Sequence, residues 1–95
     1  MLKQTLLFFF CILSMVALGQ QQKVMVMEIR AEIDPRMSRY VDLSLENAEQ
    51  MEADIVIVDM DTYGGLVTDA KDIVERIMAF DKPVWVFINN DAASA

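Results

Sequence analysis

Ile55-Val56-Ile57-Val58 is an unbroken run of β-branched side chains. Such residues favour extended backbone, and a strand without polar alternation is one covered on both faces, as in a parallel sheet. The flanking segments supply the neighbours that a parallel sheet needs. Val24 to Ile29, built from β-branched residues and methionine, reads as a first strand. Asp34-Pro35 starts a helix, with Asp as N-cap and Pro at the first helical position, where its missing N–H costs nothing. That helix runs to about Glu52. Met37, Tyr40, Val41, Leu45, Ala48 and Met51 form its apolar stripe, opposite Arg36, Asp42, Glu46, Glu49 and Glu52.

After the central run comes Asp59-Met60-Asp61-Thr62-Tyr63-Gly64-Gly65, then a second amphipathic helix marked by Leu66, Ala70, Ile73, Val74 and Ile77 and closed at Lys82-Pro83. Val84 to Ile88 is a third strand. Asn89-Asn90-Asp91 reads as a polar turn, and the small side chains of Ala92-Ala93-Ser94-Ala95 as the start of a closely packed helix. Strand, helix, strand, helix, strand is the alternation of an α/β domain with right-handed crossovers and a parallel sheet.

Composition narrows the function. Asp and Glu outnumber Lys and Arg fifteen to eight, for a net charge of -7, so nucleic acid, which is bound through basic side chains, is not an expected partner. With one cysteine, Cys11, and no histidine, the sequence forms no internal disulfide, no Cys/His zinc site and no Ser-His-Asp triad. Asp59 and Asp61 could suggest a magnesium site, but capping of the turn and the next helix accounts for them better; neither a metal nor a cofactor is expected.

Residues 1–19 read as a signal peptide. Lys3 is the positive n-region, Leu6 to Leu18 is apolar apart from Ser14, and Ala17-Leu18-Gly19 has the small-x-small form of a cleavage site. As a helix the apolar run would rise only ~20 Å at ~1.5 Å per residue, short of a ~30 Å hydrocarbon core. The expectation is an exported chain of residues 20–95. That length is small for burying a parallel sheet on both faces, so a truncated domain is expected.

Sites in open α/β sheets lie beyond the carboxyl ends of the strands. Gly64-Gly65 falls there, where backbone N–H groups can approach a ligand, although a glycine pair in such a turn is more often a steric device. Ser94 follows the third strand, where a lone serine is usually only an N-cap.

Together these features resemble the NfeD family of membrane-associated serine proteases, related to signal-peptide peptidase A and the Clp proteases. The resemblance rests on Ile33-Asp34-Pro35, the buried strand running into Asp61-Thr62-Tyr63-Gly64-Gly65, and Val84 to Ile88 leading to Ala92-Ala93-Ser94-Ala95. It spans nearly all of residues 20–95 and implies a Clp/crotonase-like α/β domain built from ββα-type repeats on a parallel sheet. It further implies Ser94 as nucleophile, with N–H groups at Gly64 or Gly65 and at Ala95 forming the oxyanion hole. Where Tyr63 stands, the family commonly has proline. Its general base, a lysine, lies further along than Ala95; Lys23, Lys71 and Lys82 are not placed to serve.

The resemblance implies a Ser/Lys endopeptidase acting on hydrophobic peptide segments near a membrane, on the extracytoplasmic side, with stomatin-like membrane proteins as partners. An unpaired third-strand edge implies a homo-oligomer. The competing readings are a non-catalytic scaffold in a membrane complex and a crotonase-type acyl-CoA enzyme, the latter disfavoured by export away from CoA.

Overall fold

Right-handed crossovers that step through a sheet in one direction must all lie on the same side of it, and the chain follows that rule. The computed structural model describes residues 21–93. The signal-peptide reading, Ser94 and Ala95 lie outside the described residues. Strands β1 (Val24–Ile29), β2 (Ile55–Thr62) and β3 (Val84–Ala92) alternate with helices α1 (Pro35–Gln50) and α2 (Val67–Met78). The strands pair in the order β1-β2-β3, parallel throughout. The expected parallel α/β sheet is therefore present.

Both helices cover one face. Met27 and Ile29 of β1 and Val56 and Val58 of β2 pack with Val41, Leu45 and Ala48 of α1 and Ile73 of α2 in a single core. Side chains alternate along a strand, so Val24, Val26, Ile55, Ile57, Trp85 and Phe87 fall on the opposite face. No described element covers that face: Val26 is 57% exposed, Trp85 60% and Phe87 59%. The expectation that β2 is buried on both sides needs correction, since Ile55 and Ile57 are only half-buried. The β-branched run anticipates two covered faces, whereas two same-handed crossovers supply one.

The cap on α1 is as the sequence indicates. Asp34 has extended backbone and its Oδ1 accepts the Met37 N–H at 2.9 Å, with Pro35 beginning the helix. Met37, Val41, Leu45 and Ala48 form the buried stripe; Tyr40 and Met51 are largely exposed. Tyr40 instead offers its hydroxyl oxygen to the Glu28 N–H on β1, at 3.3 Å. The helix ends at Gln50, two residues before the expected end. Glu52 takes a left-handed φ of 57°, while its own N–H donates to the Glu49 carbonyl and that of Ala53 to the Ala48 carbonyl. This is a Schellman closure built without glycine.

The hydrogen bond from Met37 N–H, aided by Arg36, holds the Asp34 carboxyl below its usual pKa against the opposing effect of desolvation. A carboxyl depressed in the folded state contributes stability above its unfolded pKa of about 3.9 and loses it as pH falls through the lower folded value. Asp34→Ala is therefore expected to lower Tm near neutrality, with the gap to wild type closing below about pH 4. Thermal melts across pH 2–7 check this; a gap that stays constant would contradict it.

The third strand corrects the sequence reading. It does not stop at Ile88, but runs to Ala92. Met60 pairs with Ile88 and Thr62 with Ala92, so β3 takes four steps where β2 takes two, and Asn89-Asn90-Asp91 form a bulge inside the pairing. Polar side chains there reflect a bulge at the sheet's rim, since the backbone ladder resumes beyond them. The Asp91 Oδ1 then accepts the Ala93 N–H at 3.0 Å.

Candidate active site

Beyond the carboxyl ends of β1 and β2 the chain makes a second parallel contact, the bridge between Ile33 and Gly65. The Ile33 N–H donates to the Gly64 carbonyl at 2.9 Å, and the Leu66 N–H donates to the Ile33 carbonyl at 2.8 Å. Both glycines have a steric reason to be glycine. Gly64 has φ of 98°, in the region closed to most L-residues. At Gly65 a β-carbon would sit 2.1 Å from the Ile33 carbonyl oxygen. The plain steric account of the pair therefore holds, and it also fixes where the N–H groups go.

The two amides differ. The Gly64 N–H donates to the Thr62 Oγ1 at 3.1 Å and is thereby occupied. The Gly65 N–H has no acceptor among the described residues. In a trans peptide the carbonyl and the following N–H point in opposite directions. Since the Gly64 carbonyl points at Ile33, the Gly65 N–H points away from it. Ile33 follows β1, and β3 lies along the other edge of β2, so the free donor faces the side on which β3 ends.

The turn borders a cleft of about 560 Å³ whose other walls include Arg30, Glu32, Asp61, Tyr63 and Asn90. Tyr63, beside the glycine pair, is 85% exposed. Arg30 hydrogen-bonds Asp59 Oδ2 and lies 3.8 Å from Glu28. The bond to Asp59 and its charge hold the guanidinium more firmly protonated. The expectation that Asp59 and Asp61 cap the turn and the next helix also needs correction, since both lie within β2 and the residue before α2, Leu66, gives it no side-chain cap. Among the described residues no cluster of metal-ligating side chains forms.

Sequence reasoning missed Thr62 and the Arg30–Asp59 pair. A hydroxyl residue two positions before a glycine was the available signal for the first; no local pattern marks the second, whose members are twenty-nine residues apart. None of the three lysines among the described residues lines the cleft. Lys23 sits before β1 with its Nζ 3.3 Å from the Met51 carbonyl, Lys71 pairs with Glu75, and Lys82 precedes β3 at the opposite end of the sheet.

The family described as NfeD1b, N-terminal domain, matches residues 23–95. Membrane protein NfeD1b of Bacillus subtilis is 32% identical over 79 residues, which are 83% of this chain and 18% of that protein. A serine-to-alanine variant of the 1510-N membrane-bound stomatin-specific protease is similar over 77% of this chain and 35% of its own, at 29% identity and TM-score 0.70. A lysine-to-alanine variant of it, in complex with a substrate peptide, gives 28% identity and TM-score 0.69, over 78% of this chain and 34% of its own. ClpP1 of Listeria monocytogenes shares the fold at 23% identity and TM-score 0.62, over 64% of this chain and 36% of its own. The chain thus spans about a fifth of the curated relative and about a third of the solved proteins. Among the described residues no helix is long and apolar enough to cross a membrane.

Proposed function

Because the chain belongs to the NfeD1b N-terminal domain family, we propose that it contributes the nucleophile and oxyanion hole of a serine endopeptidase that cuts hydrophobic peptide segments near a membrane. Ser94 is the nucleophile. The N–H groups of Gly65 and Ala95 receive the tetrahedral oxyanion, while Gly64 sets the turn. One oxyanion donor in such a site is worth about 2.7–4 kcal/mol in the transition state. A lysine beyond residue 95 takes the serine proton, since a serine hydroxyl needs a base to become an effective nucleophile.

The observation that carries this reading is the Gly65 N–H, which has no acceptor among the described residues and is aimed toward the side where β3 ends. The bulge brings Ala92, near the end of β3, level with Thr62 at the entry to the glycine turn, and Ser94 follows two residues later in the sequence. Solved variants of the similar stomatin-specific protease that replace a serine and a lysine, one holding a substrate peptide, support the Ser/Lys chemistry. They also support a stomatin-like partner and a peptide substrate. The relative described as a membrane protein supports membrane association. Export of residues 20–95 to the extracytoplasmic side follows from the signal-like residues 1–19, and the open apolar face of the sheet supports self-association. The exposed apolar face of the sheet also suits a second reading, a scaffold without catalysis in which this α/β unit docks to a membrane complex.

Incubation of the whole protein with peptides from the apolar and polar segments of a stomatin-like protein separates the two. Cleavage confined to apolar segments, by protein whose amino terminus is at or near Gln20, is expected. No cleavage of any peptide favours the scaffold, and a mature terminus at Met1 contradicts export.

A further inference from the structure

We infer that Thr62 is the positioning residue of this site: its hydroxyl occupies the Gly64 amide and so commits the turn to presenting Gly65 alone. The inference rests on the peptidase reading and adds to it a residue that touches neither substrate nor nucleophile. Thr62 is 3% exposed at the end of β2. Its Oγ1 donates to the Ala31 carbonyl at 2.7 Å and accepts the Gly64 N–H at 3.1 Å. A hydroxyl has one donor and can accept through its lone pairs, so the donor is fully committed and the oxygen is claimed by the turn. Its backbone pairs with Ala92 across the bulge. One residue therefore ties the exit of β1, the glycine turn and the end of β3 to one another.

The geometry explains why the tie has a functional consequence. Gly64 lacks a side chain and has a φ that glycine adopts freely, so little within Gly64 itself fixes the Tyr63–Gly64 peptide plane. The Ile33 N–H holds the Gly64 carbonyl, which sets the next peptide and hence the Gly65 N–H. The Thr62 hydroxyl holds the Gly64 N–H and sets the preceding one. Remove the hydroxyl and the Gly64 peptide is free to rotate, its N–H competes for the cleft, and the aim of Gly65 loosens. Misplacement of a catalytic group by about 1 Å can cost about 100-fold in rate.

The test compares wild type, Thr62→Val and Thr62→Ser in the whole protein. Valine keeps the β-branched shape and removes the hydroxyl, and serine keeps the hydroxyl. Two quantities are read: amide exchange of Gly64, and kcat and KM for an apolar peptide. Thr62→Val is expected to speed Gly64 exchange about tenfold or more, as an opened local hydrogen bond does. It should also lower kcat by roughly 10- to 100-fold, with KM nearly unchanged because the loss falls on the transition state. Thr62→Ser should restore both. Exchange at Val58 in the core reports whether the fold survives; if Thr62→Val does not fold, Thr62→Cys, with its weak donor and acceptor, is expected to give a smaller loss of the same kind. Unchanged Gly64 exchange, or faster exchange with wild-type kcat, overturns the inference. Absence of Ser94-dependent cleavage in the wild type would instead bring down the peptidase reading, and is recognised because Gly64 exchange still responds to Thr62→Val.

Discussion

Gly65→Ala is expected to unfold the amino-terminal half of the site and to be the most destabilising single-atom change in the turn. The added β-carbon would lie 2.1 Å from the Ile33 carbonyl oxygen, 2.8 Å from its carbon and 2.9 Å from its nitrogen, all backbone atoms that cannot swing aside as a side chain would. The bridge must part. With it go the hydrogen bonds from Ile33 N–H to Gly64 and from Leu66 N–H to Ile33, each about 1 kcal/mol net, and overpacking adds about 1–3 kcal/mol. A total of about 3–5 kcal/mol corresponds to a fall in Tm of roughly 12–40 °C for a domain of this size. Gly64→Ala meets a different obstacle, a left-handed backbone costing about 1–2 kcal/mol, and its Tm should fall by less. Thermal denaturation of both variants checks the order. A Gly65→Ala protein that melts with the wild type would mean that Ile33 does not grip the turn.

Ser94→Ala is expected to lower kcat for apolar peptides by about three orders of magnitude or more, as loss of a catalytic nucleophile does, and to leave Tm within about 1 °C, since only a small polar group is removed. The two substitutions thus separate the roles: Gly65 acts through the fold and the donor it presents, Ser94 through the attacking oxygen alone. Peptide cleavage at the wild-type rate by Ser94→Ala would remove the serine from the mechanism and leave the scaffold reading in its place.

What could be read in advance follows the range of the interactions. Local signals carried furthest: the Asp34-Pro35 cap is made by residues three apart, and Met37, Val41, Leu45 and Ala48 of the expected stripe are buried, whereas Tyr40 and Met51 are exposed. The central strand was legible as a strand but not in its surroundings, because β-branched composition says nothing of which side the crossovers take. The polar Asn89-Asn90-Asp91 segment concealed a bulge, since what continues the strand is the backbone pairing of Ala92 with Thr62, thirty residues away in sequence. The glycine pair was legible as a turn. Which of its two amides is left free depends on the Thr62 hydroxyl and on the distant Ile33, and no spacing rule reveals that division.

The central claim is that Ser94 forms a covalent bond to the substrate carbonyl, and the most direct test is to trap that bond. Rapid acid quench of the whole protein during its first turnover with an apolar peptide ester, followed by proteolytic mapping, locates the acyl group. The account predicts an acyl adduct on Ser94, absent from Ser94→Ala. An adduct on Ser38 or Ser44, or turnover with no acyl-enzyme on any serine, would contradict it.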